Sequence, residues 1–279
     1  MTNPLSLTDP TLSTRAIASW ETNAAHWDAT ITAHGNVYWR RLQAPCLARL
    51  LSPTLSRPGG CRALDLATGN GLCARWLLAH GATEVVATDA SEGMLSVARG
   101  HCEGMEGVRF RRVDVTDEGE VGRLVAEEGR FGVVLMNMAV MDVAEVEMLA
   151  RGLKGLLEEG GVFVATLLHP AFFTSGASRN VELRDNAATG DLDIIRSITV
   201  RDYMSVPPAL GWAVPGQPAK QIYFHRPMHE LFATFFKVGM VMDAMEELAF
   251  TKEDAEARLE STRNFTQLPV ILAFRMRFV

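Results

Sequence analysis

Along the chain, short apolar runs alternate with stretches in which apolar positions recur every three or four residues. The runs fall at 63–66, 84–88, 108–115, 131–136 and 161–168, and the periodic stretches lie between them at 72–79, 93–99, 121–127 and 146–157. Short apolar runs bounded by Gly or Asp predict strands buried on both faces, and a period near 3.6 predicts helices packed against them. Their alternation predicts an α/β fold, with a parallel sheet and helices on both faces. Gly160-Gly161 is expected to stop the fourth of these helices before the fifth strand.

Upstream of this core, residues 15–51 read as helical: Ala16, Trp20, Ala24 and Trp27 recur at spacings of four, four and three, and 42–51 gives a second apolar stripe. After the fifth run the rhythm breaks. Residues 193–203 and 220–226 alternate like the two strands of an inserted hairpin, joined by the Pro-rich, apolar loop 205–219. A helix is expected at 229–237, a strand at 240–248 and a closing apolar strand at 268–279. No internal repeat, low-complexity tract or Ser/Gly/Pro-rich linker divides the chain. One domain over 1–279 is expected, with an N-terminal helical cap at 15–55, a binding core at 60–170, an inserted lid at 171–226 and the rest of the sheet at 227–279.

Composition narrows the class. The chain has 279 residues, 48% of them hydrophobic and 22% charged, which excludes disordered and disulfide-scaffold classes. A net charge of −6 opposes nucleic-acid binding. Arg109, Arg111 and Arg112 face the acidic run 117–120 and read as a solvated strand edge. Cys46, Cys61, Cys73 and Cys102 form no CxxC pair and have no His-x-x-x-His partner, so no metal is expected. The first ten residues lack a basic and an apolar region, and the longest apolar run, 161–168, is far short of the ~20 residues that cross a bilayer. A reduced, cytoplasmic protein with no membrane or nucleic-acid partner is expected, as monomer or homodimer.

The chemistry concentrates in ALDLATGNG at 63–71. Here a strand carrying Asp65 runs through Ala67, Thr68, Gly69 and Gly71 into a helix. Small residues let the backbone turn sharply and approach a ligand, and the helix start offers free N–H groups. Parallel sheets bind ligands at the carboxyl ends of their strands, where strand order reverses. Two more acids end the next two strands. Asp89, 18 residues beyond Gly71, is placed to accept both hydroxyls of a ribose. Asp114 is placed to accept from an adenine amino group while the Val115 N–H serves a ring nitrogen, with Ala90 beside Asp89 and Met94 against the ring face. Gly69-x-Gly71-x-x-Ala74 also fits the dinucleotide fingerprint. Against a nicotinamide enzyme stand Asp65 inside the strand, some 60 residues of helical cap before it, and the apolar closing strand.

Read together, these segments resemble the class I S-adenosylmethionine-dependent methyltransferases that act on small molecules. ALDLATGNG resembles that family's first motif, hhDhGxGxG, with Ala67 and Thr68 in place of the usual Gly and Cys. VVATDASEGML resembles the second motif and RVDVTD the third. MNMAVMDV at 136–143 resembles the loop after strand four, LLEEGGVFVATLLHPAFF the fifth-strand motif, and FHRPMHELFATFFKVGM the Arg-Pro helix before strand six. The resemblance covers roughly 15–279. It implies a Rossmann-like, seven-stranded, mostly parallel sheet with the last strand antiparallel. It implies that S-adenosyl-L-methionine is the cofactor and S-adenosyl-L-homocysteine the product. The methionine part would meet Ala67 and Gly69, the ribose Asp89, the adenine Asp114 and Val115, and the amino group the Asn137 carbonyl.

Methyl transfer from a sulfonium needs alignment and exclusion of water more than a conspicuous catalytic group. A base is needed only for an acceptor that stays protonated. His169, just past strand five, and His225, before Arg226-Pro227, are the candidate catalytic residues, with a turn-shaping role as the alternative for His169. Met141 and Asp142 follow strand four and are expected to line the acceptor pocket, with a helix-cap role as the alternative for Asp142. Trp27, Asn36 and Tyr38 are expected to fold over the cofactor. Phe172, Phe173, Tyr203, Pro207, Pro208, Leu210 and Trp212 would make an apolar cover, and Met136, Met138 and Met141 suit an irregular pocket. The expected acceptor is a small, fairly hydrophobic metabolite of aromatic or polyketide-like type, methylated on oxygen or nitrogen. Two readings remain beside this one: a protein that uses the same cofactor as a cyclase or binds it only, and a nicotinamide-dependent oxidoreductase.

Overall fold

The protein is described here by a computed structural model covering residues 5–6 and 9–279. The reading of the first ten residues lies largely outside that span. The helices are α1 (Leu12–Ile31), α2 (Ala44–Leu55), α3 (Leu72–Ala79), α4 (Glu92–His101), α5 (Glu118–Glu128), α6 (Glu147–Leu156) and α7 (Met228–Phe236). The strands are β1 (Cys61–Leu66), β2 (Ala82–Asp89), β3 (Val108–Arg112), β4 (Phe131–Asn137), β5 (Leu157–Leu168), β6 (Ala177–Asp185), β7 (Leu192–Val200), β8 (Ala209–Gly211), β9 (Gln221–Tyr223), β10 (Met240–Leu248) and β11 (Ile271–Phe278). None of the described helices is long and apolar enough to cross a membrane.

Seven strands make one sheet in the order β10-β11-β5-β4-β1-β2-β3. The pairs among β1 to β5 are parallel, and β11 runs antiparallel to both β5 and β10, as the resemblance implied. Alternate residues of each strand point to opposite faces. Leu64, Leu66 and Val86 therefore enter one core with α5, α6 and α7, while Ala63, Val85 and Ala87 enter the other with α2 and α3. Caps set the helix starts: the Ser91 side chain accepts from Met94 N–H at α4, and the Asp117 side chain accepts from Glu120 N–H at α5. On β3, an edge strand, the three arginines do pair with acids. Arg109 reaches Glu84 and Glu128 at 2.6 and 2.7 Å, Arg111 reaches Glu128 at 2.9 Å, and Arg112 reaches Glu120 at 3.1 Å.

Three boundaries differ from the sequence pattern. Gly160 and Gly161 do not stop a helix: α6 has already ended at Leu156, and pairing jumps from Phe131–Leu157 to Val133–Val162, so residues 158–161 bulge out of β5. β3 stops at Arg112, because Asp114 turns back to accept from the Thr116 N–H and hydroxyl. The inserted hairpin is two ribbons. β7 pairs with β6 rather than with 220–226, and β9 pairs with the short β8. β6 escapes detection because most of its residues are polar and exposed, so it gives a weaker apolar alternation than β7.

Where the three-element packing of β5, β11 and α7 is tightest, Phe274 meets the rings of Phe163, Phe232 and Phe235 with centroids 5.3–6.2 Å apart. Phe274→Ala is expected to cost about 3–5 kcal/mol of stability in chemical denaturation.

Candidate active site

Strand order reverses at β1, which has β2 on one side and β4 on the other. The chain leaving β1 and the chain leaving β4 therefore diverge, and a cavity of about 930 Å³ opens between their carboxyl ends. Both exits are backbone-strained. Ala67 after β1 has φ 53° and Met138 after β4 has φ 55°, the left-handed region that side chains resist. Two bonds hold Met138 there, from its N–H to the Thr166 carbonyl and hydroxyl, each 2.9 Å.

The loop after β1 is shaped by Asp65 and Asp89. Asp65, near the end of β1, is buried and accepts from the Thr68 hydroxyl; burial pushes its pKa up to about 7. Asp89 accepts from Gly69 N–H on one oxygen and Ser91 N–H on the other, each at 2.9 Å. Each oxygen keeps acceptor capacity toward the cavity it lines. Burial pushes the Asp89 pKa up to about 6. Gly69, at φ 55°, faces open space: a Cβ there would meet nothing within 4 Å. Beyond it, Asp114 Oδ1 accepts from Thr116, while the Val115 N–H has no partner among the described residues. A free acceptor oxygen beside a free N–H matches a ring edge that presents an amino donor next to a ring nitrogen.

Ala67, Thr68, Gly69, Asp89, Ala90, Met94, Asp114, Val115 and Asn137 all line the cavity, as does Asp65. Gly71 does not; its φ of 76° makes it the left-handed N-cap of α3, behind the loop. The Asn137 side chain is turned away to Gln43 Oε1 and the Thr166 hydroxyl, at 3.0 and 2.7 Å.

Helix α1 closes this end. Glu21 accepts from the Ser91 hydroxyl at 2.6 Å and from Gly93 N–H, and Asp28 accepts from the Asn70 amide at 2.9 Å. His101 Nε2 reaches the same Asp28 oxygen at 2.7 Å. Trp27, Asn36 and Tyr38 line the cavity under this cover, and Trp27 packs edge-on against Trp20. Glu21, Asp28 and Asn70 have no signature in the sequence, where a lone acid on a helix face reads only as solvated.

The other end is built from the 140–142 turn, the start of the chain after β5, and the β8–β9 ribbon. Met141, Asp142, Phe172, Phe173, Leu210, Trp212 and His225 line it, together with Gln221 and Tyr223, which the sequence did not mark. Trp212 is 56% exposed, at the rim, with Lys220 Nζ 5.4 Å from its ring centre. Tyr203 is not in the wall: its hydroxyl accepts from Met228 N–H at 2.9 Å and its carbonyl from His225.

The two histidines part company. His169 is fully buried and lies outside the cavity wall. Its Nδ1 accepts from Ala171 N–H at 3.2 Å, its Nε2 donates to Glu247 at 2.8 Å, and its ring stacks on Phe172. With both nitrogens engaged it shapes the turn, and the catalytic expectation for it is corrected. His225 lines the cavity, with Nε2 2.6 Å from the Tyr203 carbonyl. A carbonyl only accepts, so Nε2 carries the hydrogen and Nδ1 keeps the lone pair. Burial holds its pKa below the usual histidine value, so the ring is neutral near pH 7.

Residues 63–161 match the family described as "Methyltransferase domain". A demethylmenaquinone methyltransferase of Clavibacter sepedonicus is 37% identical over 105 residues, 38% of this chain and 40% of its own. A ubiquinone biosynthesis O-methyltransferase of Ruegeria pomeroyi is 30% identical over 167 residues, 55% of this chain and 62% of its own. The chain thus spans less than two thirds of either relative. An S-adenosylmethionine-dependent methyltransferase structure from Mesorhizobium loti superposes with a TM-score of 0.61 at 23% identity, over 88% of this chain and 100% of that one. The matched segment holds the loop after β1 and all three acids, and it sits on a fold shared with that S-adenosylmethionine-dependent methyltransferase structure.

Proposed function

We propose that this protein transfers a methyl group from S-adenosylmethionine to an oxygen or nitrogen of a small, fairly hydrophobic acceptor. The observation that carries the reading is one continuous cavity with two chemically different ends. At the β1–β3 end the acceptors and donors fit an adenosyl group: Asp89 for the ribose hydroxyls, Asp114 and Val115 N–H for the adenine edge, Met94 for a ring face, and the open backbone at Ala67 and Gly69 for the methionine part. At the other end, Met141, Phe172 and Trp212 offer an apolar wall, and residues 171–226 act as its cover. The names of the relatives, a demethylmenaquinone methyltransferase and a ubiquinone biosynthesis O-methyltransferase, support methyl transfer to an apolar acceptor.

When bound, the cofactor supplies a methyl carbon already activated by its sulfonium. What the chain adds is position, dryness and a place for a proton. α1 and the β8–β9 ribbon cover the cavity on both sides, so water is kept from the reacting atoms. An acceptor hydroxyl or ammonium must shed a proton, and His225 Nδ1 is the basic nitrogen in this wall. The Tyr203 carbonyl fixes the ring in the tautomer that leaves Nδ1 free.

Thermal unfolding with S-adenosylhomocysteine, S-adenosylmethionine, NAD and NADP in parallel tests the reading. The adenosyl sulfur compounds at 100 times their Kd are expected to raise the midpoint by roughly 2 °C or more, with no response to either nicotinamide cofactor. A response to NAD or NADP alone would establish an oxidoreductase, and cofactor binding without methylated product would establish the cyclase or binding-only reading.

Asp89→Ala is expected to abolish that shift while leaving the fold intact. In the wild type, S-adenosylhomocysteine affinity measured by titration calorimetry should weaken as pH falls through about 6, where Asp89 takes up its proton and loses acceptor capacity.

With an acceptor in hand, His225→Phe should lower kcat by about 10²–10⁴ at saturating cofactor. The acid limb of the wild-type pH–rate profile should lie below the usual histidine value and vanish in the variant.

A further inference from the structure

The acceptor end of the cavity holds a carboxyl group that binds nothing. Asp142 closes the short helical turn Val140–Asp142 after β4, and its Oδ1 is buried with no hydrogen-bond partner among the described residues. Asp142 is not a helix cap there: α6 begins only at Glu147. The turn itself is rigidly held. Phe224 N–H donates to the Met141 carbonyl at 2.7 Å, and Asp142 N–H donates to the Ala139 carbonyl at 2.9 Å. Arg226 spreads its guanidinium over the carbonyls of Val140, Val143 and Ala144 at 2.6–3.3 Å.

The donors on the neighbouring described residues are already committed. The Tyr223 hydroxyl donates to Gln221 Oε1 at 3.1 Å, His225 Nε2 is held by the Tyr203 carbonyl, and Arg226 is taken up by the turn. β5 contributes only Leu167 and Leu168 to this wall, and Glu145 and Glu147 act on Arg226 rather than on Asp142. Among the described residues no cation therefore faces the carboxyl, and burial drives its pKa well above the ordinary value. Removing a polar atom from water without a partner is costly, so such a group in a native protein calls for a partner such as ordered water, an ion or a bound molecule, or for a functional role.

We propose that Asp142 supplies the missing half of a bond to the acceptor, taking an O–H or N–H donor of an otherwise apolar molecule and so deciding which acceptors the site admits. This deepens the methyltransferase reading and rests on it for the word acceptor; the binding preference does not. The apolar wall of Met141, Phe172 and Trp212 accommodates the body of such a molecule and Asp142 selects its polar group. A pocket built to bond a donor rejects an analogue that lacks one far more strongly than an apolar pocket rejects a change of size.

Three shape-matched probes test this: 2-phenylethanol, 2-phenylethylamine and ethylbenzene, titrated by ligand-observed NMR into the free and the S-adenosylhomocysteine-loaded protein. The wild type is expected to bind one donor-bearing probe roughly tenfold or more tighter than ethylbenzene, and Asp142→Leu to lose that preference. Asp142→Asn, which still accepts a bond but carries no charge, distinguishes the two donors, retaining the alcohol and losing the amine.

Stability supplies a second readout on the same variants. A carboxyl whose folded pKa is raised keeps its proton longer in the native state, so it costs stability as pH rises from the ordinary carboxylate range through the folded value, and nothing below. Asp142→Asn should therefore raise the unfolding midpoint at pH 8 by roughly 2 °C or more and change it little at pH 4. A wild type that does not prefer a donor-bearing probe over ethylbenzene, or an Asp142→Asn protein less stable than wild type at pH 8, overturns the proposal. Absence of any S-adenosylhomocysteine response would overturn the cofactor reading alone, since both readouts are also taken on the free protein.

Discussion

A parallel sheet that winds outward in both directions from its first strand must leave a gap where the two halves part, and here that strand is β1. β2 takes the chain leaving β1 to one side, and β4 lies on the other. The connections cannot cover the top of both strands at once, so the carboxyl ends of β1 and β4 open onto a common space. The positive φ values at Ala67 and Met138 are the local signature of that divergence. Each is sustained by bonds to the neighbouring strand: Thr68 N–H to the Thr88 carbonyl on β2, and Met138 N–H to Thr166 on β5. The site is thus a by-product of strand order, and the sheet's own hydrogen bonds carry its strain.

Around this gap the polar chemistry divides by depth. Asp65 and Asp89 sit at strand ends and Asp114 in the turn just past β3, all oriented by backbone N–H groups and short side-chain bonds. At the far wall, polar groups are fewer and are fixed through the β9 strand and its extension. Tyr223, His225 and Arg226 each spend a donor on holding a neighbour in place. Burial raises the pKa of Asp65 to about 7 and of Asp89 to about 6 and lowers that of His225, so near pH 7 His225 is neutral while Asp89 stays largely ionised.

The sheet was readable because its strands are buried on both faces and so appear as unbroken apolar runs. The loop at 67–71 was readable because glycine and small residues concentrate where the backbone needs a left-handed turn. What escaped has a different physics. β6 gives only a weak apolar alternation because most of its residues are polar and exposed, and the three-residue β8 hides inside a proline-rich loop. His169 was drawn into the site by its place after β5, but direction is set by χ angles, and its ring turns outward to Glu247. Glu21 and Asn70 act across 72 and 42 residues of chain, a separation that no local pattern encodes. Tyr223 sits in a run recognised as a strand, yet which face meets the cavity depends on a pairing with β8 that the sequence does not announce.

The arginines of β3 have a consequence for how these molecules live beside one another. An edge strand offers unpaired backbone groups to any strand that drifts past, and proteins that leave such edges bare tend to aggregate. Here Arg109, Arg111 and Arg112 stand along the edge, bonded to Glu84, Glu128 and Glu120. A strand docking on β3 would have to pass between paired charges that are still partly in water and strip the water from them. The ion pairs thus act as a fence: they stop the sheet at seven strands and keep crowded copies of the protein from stitching together edge to edge.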